Sequence, residues 1–197
     1  MAKNMQPILK RCRTLGIEPS VMGIDKSSNR NPKPMRKKQS EYGRQLTEKQ
    51  KVKFIYGMLE KQFRHYYEIA TKMPGITGEN LLQLLESRLD NVVFRLGLSN
   101  TRRESRQMVN HGHVLVNGKR LDIPSYRVKV GDVITLKEQT QTSDRIKAIV
   151  EANSSRLVPK WLDMDKNTLS GKVIAMAQRD DIDFEVEEHL IVELYSK

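Results

Sequence analysis

Seven basic side chains within 33 residues form the clearest chemical pattern in this sequence. They lie in residues 88–120, RLDNVVFRLGLSNTRRESRQMVNHGHVLVNGKR, and are Arg88, Arg95, Arg102, Arg103, Arg106, Lys119 and Arg120. Arginine binds phosphate oxygens through two parallel hydrogen bonds and stays charged at physiological pH, and a helix N-terminus adds N–H donors. The pattern therefore predicts a compact surface that recognises phosphate groups.

The first arginines of this stretch fall on a predicted helix. Leucine and valine recur every three or four residues between residues 78 and 97, which predicts a core helix of about five turns ending at Gly97. Arg88 and Arg95 lie two turns apart on this helix and are expected to project from it. Asp90 is expected on its surface, paired with a nearby arginine.

A second, basic helix is predicted to follow. Thr101 and Glu104 match a capping box, which favours a helix start, and the helix is expected to end at about His111. Arg102 and Arg106 are four residues apart and would share an exposed face. The positive end of the helix dipole would then lie beside two arginines, an arrangement that favours a phosphate.

A β-hairpin is predicted next. The dipeptide Asn117-Gly118 separates two short apolar runs and suits a tight turn in which both residues need positive φ. Further β structure is expected at 126–130 and 133–136. Together these patterns predict an α+β unit with two helices packed on a small, mostly antiparallel sheet.

The flanking segments are also mainly helical by pattern. Thr47 and Gln50 match a second capping box, and the helix that follows is expected to be loosened or divided at Gly57. Basic residues at 49–64 lie largely off its apolar stripe, and for some of them a solvated helix face is explanation enough. The terminal run of residues 189–197 fits a short helix with one apolar face, although its propensity would equally allow a strand.

The overall charge points to an acidic polymer as partner. The chain has 197 residues, with 35 Lys and Arg against 24 Asp and Glu, a net charge of +11. Residues 1–40 are rich in Lys, Arg, Asn, Ser and Pro, and they predict an extension without a core of its own that is ordered only against a partner. An RNA-contacting arm is favoured there over a solvated tail without a specific role.

Other kinds of chemistry find little support in the residues. One cysteine, Cys12, and four scattered histidines give no zinc-ligand spacing, and no Gly-rich phosphate loop is present, so neither a metal nor a cofactor is expected. The triplet Arg88-Leu89-Asp90 resembles the catalytic aspartate region of pseudouridine synthases. The Thr-Ser-Gly run that follows in those enzymes is absent here, so no enzyme activity is expected.

The segment TRRESRQMVNHGHVLVNGKRLDIPSYRVKVGDVITL resembles a small RNA-binding module shared by several RNA-binding protein families. Its flanks SEYGRQLTEKQKVKFIYGMLEKQFRHYY, TGENLLQLLESRLDNVVFRLG and EHLIVELYSK resemble bacterial small-subunit ribosomal protein S-four (S4). The resemblance covers residues 40–197 specifically and residues 1–39 more loosely. Family members that bind zinc use four N-terminal cysteines, so this chain resembles the zinc-free form.

The resemblance implies an architecture that periodicity alone does not reveal. It implies a basic N-terminal extension at 1–42 and a helical domain made of 43–88 and 177–197. An RNA-binding domain at 89–176 would be inserted into it, with the S4-type module at about 89–140.

The resemblance also implies a function. The chain would be a structural component of the small ribosomal subunit that binds 16S rRNA early in assembly, and it would contribute to translational accuracy. Its partners would be 16S rRNA, ribosomal protein S-five with neighbouring subunit proteins, and messenger RNA near the entry channel, in the cytoplasm and without a membrane. The alternatives are a free-standing RNA-binding protein or chaperone and an RNA-modifying enzyme with the same module.

The candidate RNA-binding residues combine both lines of reasoning. They are Arg44, Lys49, Lys51, Lys53, Arg64, Arg88, Arg95, Arg102, Arg103, Arg106, His111, Asn117, Lys119 and Arg120. If 6–10 phosphates are neutralised, the affinity should fall about 10³–10⁵-fold between 50 and 200 mM salt. Replacing Arg102 and Arg106 with alanine is expected to weaken RNA binding without unfolding the protein.

Overall fold

The computed structural model describes residues 6–26 and 40–196. They form two compact units, one made of the described residues up to Leu82 and from Asp183 onward, the other of Gln83–Ile182. Helices occur with an antiparallel sheet, which confirms the predicted α+β class. Within the described ranges no helix has both the length and the apolar character needed to cross a membrane.

The helices of the structure have the following bounds. They are α1 (Ile8–Leu15), α2 (Glu41–Ile55), α3 (Glu60–Ala70), α4 (Thr77–Glu86), α5 (Leu89–Arg95), α6 (Arg102–Asn110), α7 (Glu138–Gln141), α8 (Asp144–Ala152) and α9 (Glu188–Ser196), with short 3₁₀ turns at Pro19–Met22 and Arg179–Asp181. The terminal segment is thus a helix, as one of the two predicted possibilities had it.

The start of α2 differs from the predicted capping box. The helix begins at Glu41, and its N-cap is Ser40, whose hydroxyl accepts a hydrogen bond from the Gly43 N–H at 3.2 Å. The Thr47 hydroxyl instead donates to the Gly43 carbonyl at 2.7 Å within the helix, so the box at Thr47 was wrong. The predicted break at Gly57 is confirmed, because this residue has a φ of 61° and separates α2 from α3.

The N-terminal prediction fails for the part of the extension that the structure describes. Residues 6–26 fold into α1 and a 3₁₀ turn, and Cys12, Leu15, Ile17 and Met22 are buried. Arg11 also donates to the Gln50 side chain at 3.5 Å. This segment therefore does have a core, and burial raises the pKa of the Cys12 thiol. The most basic part of the predicted arm, at 27–39, lies outside the described residues.

The predicted five-turn helix is two helices, α4 and α5. Arg88 between them has extended backbone angles, φ −69° and ψ 136°. The main chain at this break pairs with a later segment: the Ser87 carbonyl accepts from the Val128 N–H, and the Leu89 N–H donates to the Tyr126 carbonyl, both at 2.8 Å. These bonds satisfy backbone groups that a continuous helix would have used internally.

The sheet belongs to the second unit and has the strand order β2-β1-β3-β5-β4, with every pair antiparallel. Its strands are β1 (Val114–Val116), β2 (Lys119–Arg120), β3 (Val133–Leu136), β4 (Leu162–Asp165) and β5 (Ser170–Val173). Of the further β structure predicted at 126–130, only an isolated bridge between residues 127 and 88 is present, and these residues form no strand of the sheet. The apolar core includes Leu98, Val109, Ile134 and Trp161.

Candidate nucleic-acid interface

Helix α6 starts as the sequence predicts. The Thr101 hydroxyl accepts from the Glu104 N–H at 3.2 Å and caps the helix. The Glu104 carboxylate turns back to accept from the Asn100 N–H at 3.0 Å, one residue before the donor that a capping box uses. Arg103 lies exposed in this first turn. The helix therefore presents a cation beside its N-terminal N–H groups.

The neighbouring arginines have a different environment. Arg88 is 3% exposed and donates two hydrogen bonds to Asp90, at 3.1 and 2.8 Å. Arg106 reaches the same carboxylate through Nε and Nη2, both at 2.7 Å. Asp90, itself buried, therefore joins α6 to the break before α5. Its pairing with an arginine is confirmed, but the prediction that it lies on a helix surface was wrong.

A second buried network holds α4, α5 and α6 together. Glu86 accepts two hydrogen bonds from Arg95, at 3.1 and 2.8 Å, and one from the Asn91 amide at 2.7 Å. The Asn91 oxygen accepts from Arg102 Nε at 2.8 Å. Breaking a buried ion pair such as Arg95–Glu86 from one side costs about 3–5 kcal/mol. They fix the angle at which α6 leaves the core.

An aromatic ring completes this network. The guanidinium groups of Arg102 and Arg156 lie over the Phe94 ring, 4.3 and 4.6 Å from its centre. Cations attract the electron-rich face of an aromatic ring, so Phe94 holds both in place. Arg88, Arg95 and the guanidinium of Arg102 are thus interior groups.

This burial corrects the geometry predicted for the basic stretch. Arg88 and Arg95 do not project from a helix, and Arg102 does not share an exposed face with Arg106. The Arg106 side chain is 21% exposed and bound to Asp90. The binding role predicted for these four arginines stays a prediction, but the physical argument for it is lost.

The hairpin at Asn117-Gly118 is confirmed, with φ of 51° and 76° at its two turn residues. The Asn117 amide is used internally: it donates to Asp132 at 2.9 Å, and its oxygen accepts from the Val133 N–H at 2.9 Å. Asp132 also accepts from the Lys129 N–H at 2.8 Å. Asn117 therefore positions the loop, and the groups that the loop presents are Lys119 and Arg120.

Gly112 allows the hairpin to lie against α6. It follows the helix C-terminus with a φ of 69°, and a Cβ atom at this position would overlap the Arg120 guanidinium. The cation therefore sits near the carbonyl end of α6, where the helix dipole favours positive charge. Gly112 therefore leaves room for the Arg120 side chain beside the end of α6.

Sequence reasoning missed two further exposed cations, Arg127 and Lys129. They flank the buried Val128, and alternation of charged and apolar residues was the available signal. Lys129 is tied to the hairpin turn through Asp132. We call the following set the exposed cations: Arg103, Lys119, Arg120, Arg127 and Lys129.

Three predicted lysines of the first unit are held in ion pairs. Lys49 and Lys53 donate to Glu60 at 2.7 and 2.8 Å, and Tyr195 donates to the same carboxylate at 2.7 Å. Burial acts to raise the pKa of Glu60, but these three hydrogen bonds outweigh it and lower the pKa to about 2. Lys51 pairs with Glu48 at 2.8 Å. The positive charges of these three lysines are therefore paired with carboxylates of the first unit.

The remaining predicted RNA-binding residues, Arg44, Arg64 and His111, are more exposed. Arg44 and Arg64 have side chains 52% and 71% exposed, with carboxylates no closer than 3.5 Å in their ion pairs. His111 is exposed at the end of α6, 6.1 Å between ring centres from His113. In the part of the chain that the structure describes, no group of three or more His, Cys, Asp or Glu residues could hold a metal ion.

Comparisons with known proteins account for nearly the whole chain. A family model described as "Ribosomal protein S4/S9 N-terminal domain" matches residues 3–86, and one described as "S4 domain" matches residues 87–134. The "Small ribosomal subunit protein uS4" of Agathobacter rectalis is 57% identical over 197 residues, covering 100% of both chains. The proteins of the same name from Lachnoclostridium phytofermentans and Fusobacterium nucleatum are 59% and 51% identical over 198 residues, again with 100% of both chains covered.

Proposed function

The chain belongs to the ribosomal protein uS4 family, and from that premise we propose that it is a structural component of the small ribosomal subunit that binds 16S rRNA. Its relatives are named as ribosomal subunit proteins and not as enzymes. The observation that carries the rRNA part of the proposal is the position of the exposed cations. All five lie within residues 87–134, the range of the S4 domain match.

The rigidity of this segment supports phosphate binding. Arg103 lies in the first turn of a capped helix, and Lys119 follows a hairpin turn held by four hydrogen bonds around Asn117 and Asp132. Cations that are already positioned lose little conformational freedom when they bind. A-form RNA is recognised largely by its shape, phosphates and 2′-hydroxyls, so a fixed set of cations suits it.

The finer parts of the proposal rest on the family resemblance. They are primary binding early in assembly, cytoplasmic location, contact with ribosomal protein S-five, a position near messenger RNA at the entry channel, and a contribution to translational accuracy. Chemical crosslinking of assembled subunits tests the two contacts directly. Absence of any crosslink to the S-five protein or to messenger RNA would remove them while leaving rRNA binding in place.

Filter binding to a transcript of the 16S 5′ domain tests the central claim. We expect tight binding that survives excess tRNA and weakens steeply with salt. The double variant Arg103→Ala/Lys119→Ala should bind more weakly, and the slope of log affinity against log salt should fall by about 1.4–1.8, because each phosphate contact contributes about 0.7–0.9.

A matched control removes two positive charges elsewhere in the same unit. Lys160 and Lys172 are exposed and lie just before β4 and in β5, on the other side of β3 from the hairpin. Replacing both with alanine should leave the salt slope unchanged. Equal effects of the two double variants would mean that net charge and not a defined interface drives binding. Loss of binding in excess tRNA would reduce the protein to a general basic RNA binder.

A further inference from the structure

A groove of about 520 Å³ lies between one face of α6 and the first residues of α7 and α8. We call it the histidine groove, because His111 and His113 both line it. None of the five exposed cations defined above lines it. A volume of this size is within the range of small-ligand sites, about 300–1,000 Å³.

The lining of the groove combines apolar and aromatic surface. Met108 and Ile146 contribute buried side chains, and the rings of His111 and His113 are 6.1 Å apart at an angle of 46°. The His113 ring is held by Thr140, whose hydroxyl lies 3.0 Å from Nδ1. One of the two rings is therefore held in place, and a planar, weakly polar group could stack on the exposed ring beside it, that of His111.

The polar residues of the groove favour an anion at its rim. Lys137 and Arg145 line it, and one acid, Glu104, faces them. Glu104 is already bound on both oxygens, by Arg145 at 2.7 Å and by the Asn100 N–H at 3.0 Å. The Arg145 side chain is 76% exposed, and ion pairs of such exposure are weak, so Arg145 can turn toward an incoming phosphate at small cost.

The first turn of α8 adds to this preference. Ser143 is the N-cap of the helix, and its side chain makes no capping hydrogen bond to the first N–H groups. Ser143 also lines the groove. Helix N-termini bind phosphate through such N–H groups. The first turn of α8 therefore favours the same ligand as Lys137 and Arg145 do.

Helix α6 carries both one wall of the groove and Arg103, one of the exposed cations. Glu104, Gln107, Met108 and His111 recur at the spacing of one helix face and all line it, while Arg103 precedes the first of them. Gln107 and Gln139 supply amides that can donate to and accept from the edge of a base. An RNA strand bound at Arg103 would thus run beside the opening.

We propose that the histidine groove binds a single unstacked nucleotide of the RNA, with its base against His111 and its phosphate toward Lys137 and Arg145. The proposal rests on the proposed rRNA function and deepens it. It predicts that one base of the RNA stacks on His111 and forms hydrogen bonds with glutamine amides. The neighbouring exposed cations would contact phosphates only. Single-stranded bases are recognised in this way when they leave the helical stack.

The test compares His111→Ala with wild type on the 16S 5′ domain transcript. His111 is exposed, and its ring lies beside that of His113, so removing the imidazole should leave the Trp161 fluorescence and the fold unchanged. We expect roughly a tenfold loss of affinity, the scale of one stacked base, with an unchanged salt slope. One base protected from dimethyl sulfate or kethoxal in the wild-type complex should become reactive.

Two further variants sharpen the result. His111→Phe keeps an aromatic ring and should restore both affinity and base protection. His65→Ala removes an exposed histidine of α3, outside the groove, and should bind as wild type.

Several outcomes would overturn the proposal. Wild-type affinity and base protection in His111→Ala would do so while leaving the rRNA function intact, because the wild-type protein would still bind. A reduced salt slope would mean that His111 contacts a phosphate and not a base. Failure of His111→Phe to restore binding would exclude stacking. If the wild-type protein itself does not bind selectively, both the function and the groove proposal fail.

Discussion

The substitution Asp90→Asn should show how strongly the buried arginines depend on their acid. Asp90 is 3% exposed; its carboxylate accepts two hydrogen bonds from Arg88 and one from Arg106 Nε, and Arg106 Nη2 lies 2.7 Å from it. The amide of asparagine has the same shape but carries no charge and can accept through only one atom. Arg88, also 3% exposed, would then lose the negative charge to which it donates two hydrogen bonds.

The expected cost follows from this burial. Removing one partner of a buried ion pair costs about 3–5 kcal/mol, a large share of the roughly 5–15 kcal/mol that stabilises a typical domain. For a unit of about 100 residues this lowers the melting temperature by at least about 12 °C. The only tryptophan, Trp161, is buried in the core of the same unit, so its fluorescence reports the unfolding of that unit.

The control makes the same substitution at an exposed ion pair. Asp144 lies 3.9 Å from Lys147, and both side chains are largely exposed, so Asp144→Asn should cost only a few tenths of a kcal/mol. Adding Arg88→Met to Asp90→Asn should recover part of the lost stability by removing a buried positive charge that no longer faces the Asp90 carboxylate. Equal melting temperatures for Asp90→Asn and Asp144→Asn would refute the role given to the buried pair.

Two further predictions concern other contacts of the fold. Gly112→Ala should destabilise the second unit by about 0.3–1 kcal/mol more than Gly118→Ala, because both glycines have positive φ but a Cβ at Gly112 would also push the flexible Arg120 guanidinium away from the C-terminus of α6; equal Trp161 unfolding curves would disprove this. The pKa of Glu60 is about 2, below its usual 4.5, so its ion pairs stabilise the first unit above pH 4.5 and this stabilisation is lost as the pH falls toward 2. Since the Glu60 side chain is 45% exposed, Glu60→Gln should cost only about 1 kcal/mol at pH 6 in urea unfolding followed by circular dichroism, and a difference that persisted at pH 2 would contradict the assignment.

Local signals in the sequence predicted the parts of the fold that local chemistry determines. The Asn117-Gly118 turn requires positive φ at both residues, and Thr101 caps α6 through its own hydroxyl. The break at Gly57 follows from the same conformational freedom of glycine. Each of these features depends on residues within four positions of each other, so the sequence pattern contains the whole cause.

The break at Arg88 could not be predicted in this way. The apolar residues of α5 continue the 3–4 spacing of α4, and the sequence between them contains neither proline nor glycine. The helix ends because Ser87 and Leu89 form main-chain bonds with residues about 40 positions later. A pattern confined to one segment carries no information about such a distant partner.

The N-terminal helix was missed for a different reason. Residues 8, 9, 12 and 15 are apolar at helical spacing, and Cys12 and Leu15 are buried. The polar, proline-containing run at 27–39 dominates the composition of residues 1–40 and hides this short stripe. A shorter window would have separated the two segments.

Some arginines of this chain are buried in internal ion pairs and others are exposed to solvent. Because only the exposed ones can release counterions from RNA, this division changes the salt dependence expected for RNA binding. Arg88, Arg95 and Arg102 contribute to the net charge of the sequence, but they are buried and donate hydrogen bonds to acceptors inside the protein. The five exposed cations alone would give a salt slope of about 3.5–4.5, or a loss of affinity of about 10²–10³-fold between 50 and 200 mM salt. This is less than the roughly 10³–10⁵-fold loss expected if 6–10 phosphates are neutralised. A loss in the higher range would therefore require cations beyond this segment, with Arg44 and Arg64 as the exposed candidates in the first unit.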